Sequence, residues 1–222
     1  MERHFDEELK DLNQRILKMG VFAEEAIHRS IEALKNRDRQ LADSVIKNDI
    51  NIDQLELIID EECIDLIARH QPLAKDLRFI TTGMKINAEL ERIADIAVDI
   101  AQRTLELVDK PLLKPLNDIP KLAFVAQNMV KTAIDSFIKG DIELAKKVML
   151  SDPEADGLRN LIQKELIEDY MMKDPATAPR AVQLLLITRF LERICDHTTN
   201  IAEDVIYMVQ AEVVRHHPEK LT

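Results

Sequence analysis

Two stretches of the chain place polar side chains at a spacing that can do chemistry. Glu91, Asp95 and Asp99 follow one another at four-residue intervals, and Glu192, Asp196 and Asn200 repeat the arrangement at an offset of 101. On a helix, four residues advance by about 40°, so each set forms one stripe. Carboxylates one turn apart supply the oxygen ligands of hard or borderline cations, singly or in clusters. Without a cation such acids repel one another by a few tenths of a kcal/mol. Either something compensates them, or water screens them. The rival compensation is an arginine: Arg92, Arg103, Arg189 and Arg193 are the candidates, Arg103 and Arg189 only marginally spaced for it.

Such stripes need helices, and the composition supplies little else. Four glycines in 222 residues are too few for the turns of a sandwich or barrel, or for glycine-rich phosphate loops. The 46% apolar content is enough to build a core. Apolar residues recur at helical spacing, as in Ile16, Met19, Ala23, Ile27, Ile31 and Leu34. Breaks at Asn36 to Arg39, His70-Gln71-Pro72, Lys139-Gly140-Asp141 and Lys173 to Pro179, with prolines at 111, 115 and 120, predict six helices. Their spans are roughly 3–36, 38–70, 73–109, 119–139, 141–172 and 177–215. Asp152-Pro153-Glu154 reads as cap, first-turn proline and first-turn acid, predicting a restart or kink in the fifth helix.

The proline-rich segment separates two copies of one pattern. At an offset of 103, Asp38, Leu41, Ala42, Val45, Asp49 and Asp53 match Asp141, Leu144, Ala145, Val148, Asp152 and Asp156. Further on, LERIADIAVDIA at 90–101 and LERICDHTTNIA at 191–202 share seven of twelve residues. The fold class is therefore all-α: two tandem three-helix bundles from an internal duplication, 1–110 and 121–222, joined by a linker at 111–120. With Glu91 at 0°, Leu90, Ile93, Ala97, Ile100 and Ala101 fall between about 180° and 280°, so the acids lie off the core face. Glu203 and Asp204 extend the second stripe.

A formal charge of −11 disfavours nucleic acid and anionic lipid as partners. Apolar runs such as Leu184 to Ile187 are far short of a membrane span, and MERHFDEELKDL does not read as a signal peptide. A cytoplasmic protein is expected. Cys63 and Cys195 have no metal or redox spacing and read as core residues. A di-iron oxidase needs two Glu-x-x-His motifs, and Glu25 to His28 is a single one. His197 reads as structural, and His216-His217 as part of a frayed tail. No nucleophile stands at a recognisable spacing from a base, so no catalytic residue is assigned; a metal-dependent helical-bundle enzyme using the same carboxylates is the alternative.

With these segments assembled, the sequence resembles the PhoU family. The residues that carry the resemblance are His70-Gln71-Pro72-Leu73-Ala74-Lys75-Asp76-Leu77-Arg78, Leu90-Glu91-Arg92-Ile93-Ala94-Asp95, Leu191-Glu192-Arg193-Ile194-Cys195-Asp196-His197 and Asn200-Ile201-Ala202-Glu203-Asp204. The resemblance implies a cytoplasmic negative regulator of phosphate uptake and of the phosphate-starvation response. It implies an adaptor, not an enzyme, with two partners: the ATPase of the phosphate ABC transporter and the sensor histidine kinase of the two-component system. A homodimer is expected, and membrane contact only through partners. Multinuclear clusters of iron, zinc or another divalent metal are implied on Glu91 and Asp95 and on Glu192 and Asp196, with Asp99 and Asn200 as secondary contacts. Ala94 and Cys195 depart from the small residue usual in the motif without disturbing the acids.

Overall fold

The computed structural model describes residues 2–213, with side chains from His4 onward. The expected tail at His216-His217 lies outside the described residues. Six helices form: α1 Glu2–Asn36, α2 Arg39–His70, α3 Ala74–Val108, α4 Asp118–Lys139, α5 Ile142–Glu165 and α6 Ala178–Gln210. A π-helical turn, Leu166–Met171, extends α5, and a short 3-10 turn, Pro175–Thr177, leads into α6. Among the described residues no strand forms. The irregular link is 109–117, because α4 already starts at Asp118, two residues before Pro120. The sixth helix stops at Gln210, short of its expected end, with Ala211 left-handed at φ 59.

The repeat is visible in how the helices are punctuated. Asp38 and Asp141, matched at offset 103, are the N-caps of α2 and α5. Asp38 accepts from the Leu41 amide, and Asp141 from those of Glu143 and Leu144. One residue earlier the chain turns through the left-handed region in both halves, at Gly140 (φ 61) and at Arg37 (φ 56). Glycine takes that conformation without cost; arginine does not. Arg37 is held there by its guanidinium, which donates to the carbonyls of Val108 and Lys110 and so closes the C-terminal end of α3.

Each set of three helices buries one apolar stripe per helix, and the sets then pack on each other through α3 against α6 and α1 against α4. One contiguous core results, running from Leu12 and Ile16 through Leu90 and Ile93 to Phe137, Leu191 and Ile201. Cys63 and Cys195 are fully buried in it. Burial pushes the Cys63 thiol up to about 12 and the Cys195 thiol higher still, so both stay protonated.

The expected restart at Asp152-Pro153 does not occur, since α5 runs unbroken through Pro153. Buried Val148 on one side and buried Ala155 and Ile162 on the other hold both segments against the core. Asp152 lies inside the helix, where no cap is needed, and its carboxylate is close enough to Asp156 and Asp196 for their charges to act on it.

Candidate functional site

On α3, the apolar side, including Leu90, Ile93, Ala97 and Ile100, is buried, and this leaves Glu91, Asp95 and Asp99 along the seam with α2. The neighbouring face of α2 carries acids too. Asp49, Asp53 and Glu56 lie close enough for their charges to act on the α3 stripe. Partial burial and these like charges push Glu91 up to about 7, where Asp95, Glu56 and Asp53 add to the desolvation and Arg92 offsets a part. Desolvation, then Asp53 and Asp95, carry Asp49 to about 6. Asp95 is raised by desolvation, Asp53 and Asp99, against a hydrogen bond from Glu91. Asp60, one turn beyond Glu56, accepts instead from Asn87 at 3.1 Å.

The second half reproduces half of this. Asp152 and Asp156 of α5 face Asp196 and Glu192 of α6, and desolvation heads the causes that raise Asp152, Glu192 and Asp196. Here, however, guanidinium groups intervene. Arg159 contacts Asp156 at 3.0 Å and Glu192 at 3.7 Å, and Arg189 donates to Glu192. Glu192 is only 8% exposed, and one of its oxygens is buried without a hydrogen bond. The expectation that all the acids lie outward therefore fails at Glu192, which sits beneath the arginines in the α5–α6 groove.

The repeat contains the reason for the difference. At offset 103 Arg159 stands where the first half has Glu56, and at offset 101 Arg189 stands where it has Ala88, so two added cations partly neutralise the second groove. The α2 and α5 acids, Asp49 with Asp53 and Asp152 with Asp156, could have been assigned to the site from the same alignment, since they are acids matched among apolar matches.

The two remaining site residues part company. Asp99 stays with its stripe and acts on Asp95 by charge. Asn200 is turned away from it: its amide donates to Glu89 at 3.3 Å, across the junction of the two bundles. His197 bonds the same carboxylate oxygen at 2.6 Å, as expected of a structural histidine. Burial would raise Glu89, but these two bonds, the imidazole and Arg92 hold it below its usual value. Asp204, 3% exposed, is likewise part of the junction and pairs with Lys85 of α3 at 3.1 Å. The candidate pair Glu25 and His28 lies on the outer side of α1, with Glu25 near Arg29. Arg103 approaches Gln183 at 3.5 Å, not the acids.

Oxygen donors and surplus negative charge make the first groove chemically suited to a divalent cation. Among the described residues, no three Asp, Glu, His or Cys side chains converge closely enough to form a ready-made coordination sphere. A cation would have to draw the stripes of α2 and α3 together.

A model of the PhoU domain matches this chain twice, over residues 16–104 and 119–205. The chain belongs to the PhoU family. The two matches fall one in each bundle, on the halves that the repeat defines. A phosphate-specific transport system accessory protein PhoU homolog of Aquifex aeolicus is 40% identical over 94% of this chain and 94% of its own. The Escherichia coli accessory protein PhoU is 34% identical over 96% of this chain and 88% of its own. The crystal structure of PhoU from Pseudomonas aeruginosa superposes with a TM-score of 0.89 at 37% identity, covering 94% of this chain and all of that one. Members of the family are accessory proteins of phosphate transport. Among the described residues, no helix is long and apolar enough to cross a membrane.

Proposed function

We propose that this PhoU-family chain is a negative regulator of phosphate uptake and of the phosphate-starvation response. It works in the cytoplasm as an adaptor between the ATPase of the phosphate ABC transporter and the sensor histidine kinase. The observation that carries the reading is the double PhoU-domain match, to relatives named as accessory proteins of the phosphate-specific transport system. Six long helices suit the role, since they offer wide rigid faces to more than one partner. Deleting the gene is expected to switch on phosphate-scavenging genes in phosphate-rich medium. Unchanged repression in the deletion strain would refute the role.

Cations belong to the same proposal. In the first half Glu91 and Asp95 would hold them, with Asp99, Asp49 and Asp53 alongside. In the second half Glu192 and Asp196 would do so only after Arg189 and Arg159 give way. A bound cation would supply the positive charge that the first groove lacks and lock α2 to α3. Because Glu56 is an acid and Arg159 a base, the first groove is the tighter site. Added manganese, iron or zinc is expected to raise the melting temperature by mass action. Glu91→Ala should remove most of that rise, and Glu91→Ala with Glu192→Ala all of it. A melting temperature indifferent to all three metals would leave the acids as a solvated face.

A further inference from the structure

The acidic surface has a local exception. Where the linker passes the C-terminal end of α3, about two and a half turns beyond Asp99, a small cleft opens over Leu34, Leu107 and Leu184. Its rim carries three cations, Arg37, Lys110 and Arg180, and none of the residues lining it is acidic. Two acids close by are engaged elsewhere, Asp109 with Arg39 at 2.6 Å and Glu165 with Lys114.

The two arginines are fixed in place by the backbone, not by counter-charges. Arg37 donates to the Val108 and Lys110 carbonyls, and Arg180 donates to that of Pro111 at 3.1 Å. Each guanidinium has five donors, so both retain N–H groups for another acceptor. Lys110 forms no ion pair among the described residues. Beside them Leu112 is 56% exposed, an apolar side chain at the lip of the cleft.

Size selects the occupant. The open volume is about 30 Å³, room for the end of one side chain and far below the few hundred Å³ that enclose a metabolite. An apolar tip would fill the floor, and carboxylates on either side of it would meet the three cations. We infer that this cleft docks a partner protein through a segment in which an apolar side chain is flanked by Asp or Glu. In a chain of net charge −11, such a patch also sets orientation, because the rest of the surface repels the same segment. The inference rests on the adaptor reading and adds to it the surface that one partner uses.

The test titrates the full chain against the purified, detergent-solubilised transporter and, separately, the sensor kinase, at low and moderate salt. Lys110→Glu with Arg180→Glu is expected to weaken binding to one of them at least tenfold and to flatten its salt dependence, with the melting temperature retained. Lys110→Arg with Arg180→Lys should bind as the parent does. If the parent binds and the charge-reversed variant binds equally well, the inference is wrong and the adaptor reading stands. If the parent binds neither partner, the adaptor reading falls and the inference with it. Loss of binding only to phosphatidylglycerol vesicles, with both proteins still bound, would assign the patch to a membrane and overturn the inference.

Discussion

Phe137→Ala is expected to cost about 3–5 kcal/mol of stability. Phe137 is 1% exposed and ends the apolar stripe of α4 one turn before Gly140. Its ring stacks on Phe79 of α3, with centroids 5.3 Å apart and planes 10° from parallel. Truncation removes a buried aromatic, leaves a cavity, and breaks a ring pair worth about 0.5–1.5 kcal/mol beyond burial. The pair also bridges the two bundles, joining the start of α3 to the end of α4. In a chain of this length the melting temperature should fall by roughly 10 °C. Phe137→Leu keeps most of the volume and should lose less than half as much. Thermal unfolding followed by circular dichroism and calorimetry decides it. A single transition that moves down as a whole means that the bundles unfold together, whereas a variant in which half the signal is unmoved would show two independent units.

Most of this scaffold was legible from sequence because helix ends are local chemistry. Asp38 and Asp141 announce their caps, Gly140 announces a left-handed turn, and the prolines at 111 and 115 cannot continue a helix. Arg37 shows the limit of that logic. Nothing in its type predicts a positive φ, and the bonds that hold it come from Val108 and Lys110, more than seventy residues away. Pro153 is a second limit, since a proline that would end an isolated helix is overridden by burial on both sides of it.

The candidate site divides along the same line. A helical wheel places Glu91, Asp95 and Asp99 on one stripe because that follows from the turn angle alone. It says nothing about what the neighbouring helix presents, so Asp49, Asp53 and Glu56 were invisible to it, as was Arg159 above Glu192. Asn200 illustrates the converse. It occupies the position of Asp99 in the repeat, yet α6 faces α3 there, and the amide finds Glu89. Position within a repeat is inherited; the partner across the groove is decided by packing.

Glu91→Gln should make the chain more stable at neutral pH, although it removes a residue of the proposed site. The Glu91 carboxyl rises from an ordinary value of 4.5 in the unfolded chain to about 7 in the folded one, mainly through desolvation and then through Asp95 and Glu56. The folded state therefore holds this proton more tightly than the unfolded state does. Below about pH 4.5 both states are protonated and there is no penalty. As pH rises from 4.5 to 7 the unfolded chain loses the proton first, and stability falls until the full penalty is reached above about pH 7. After allowance for solvent screening in a half-open groove, that penalty is about 1–2 kcal/mol. Glutamine abolishes it, so without metal the variant should melt about 2–8 °C above the parent at pH 8 and level with it at pH 4.5. Asp49→Asn should act in the same direction, with a pH midpoint nearer 6. The two gains should not add, because each relieves repulsion within one cluster. A parent whose stability is flat between pH 4.5 and 8, or a Glu91→Gln variant that melts lower at pH 8, would show that water screens the groove. Repulsion that destabilises the empty fold is the same repulsion a cation would relieve, so the gain at pH 8 should coincide with loss of the metal-dependent rise in melting temperature.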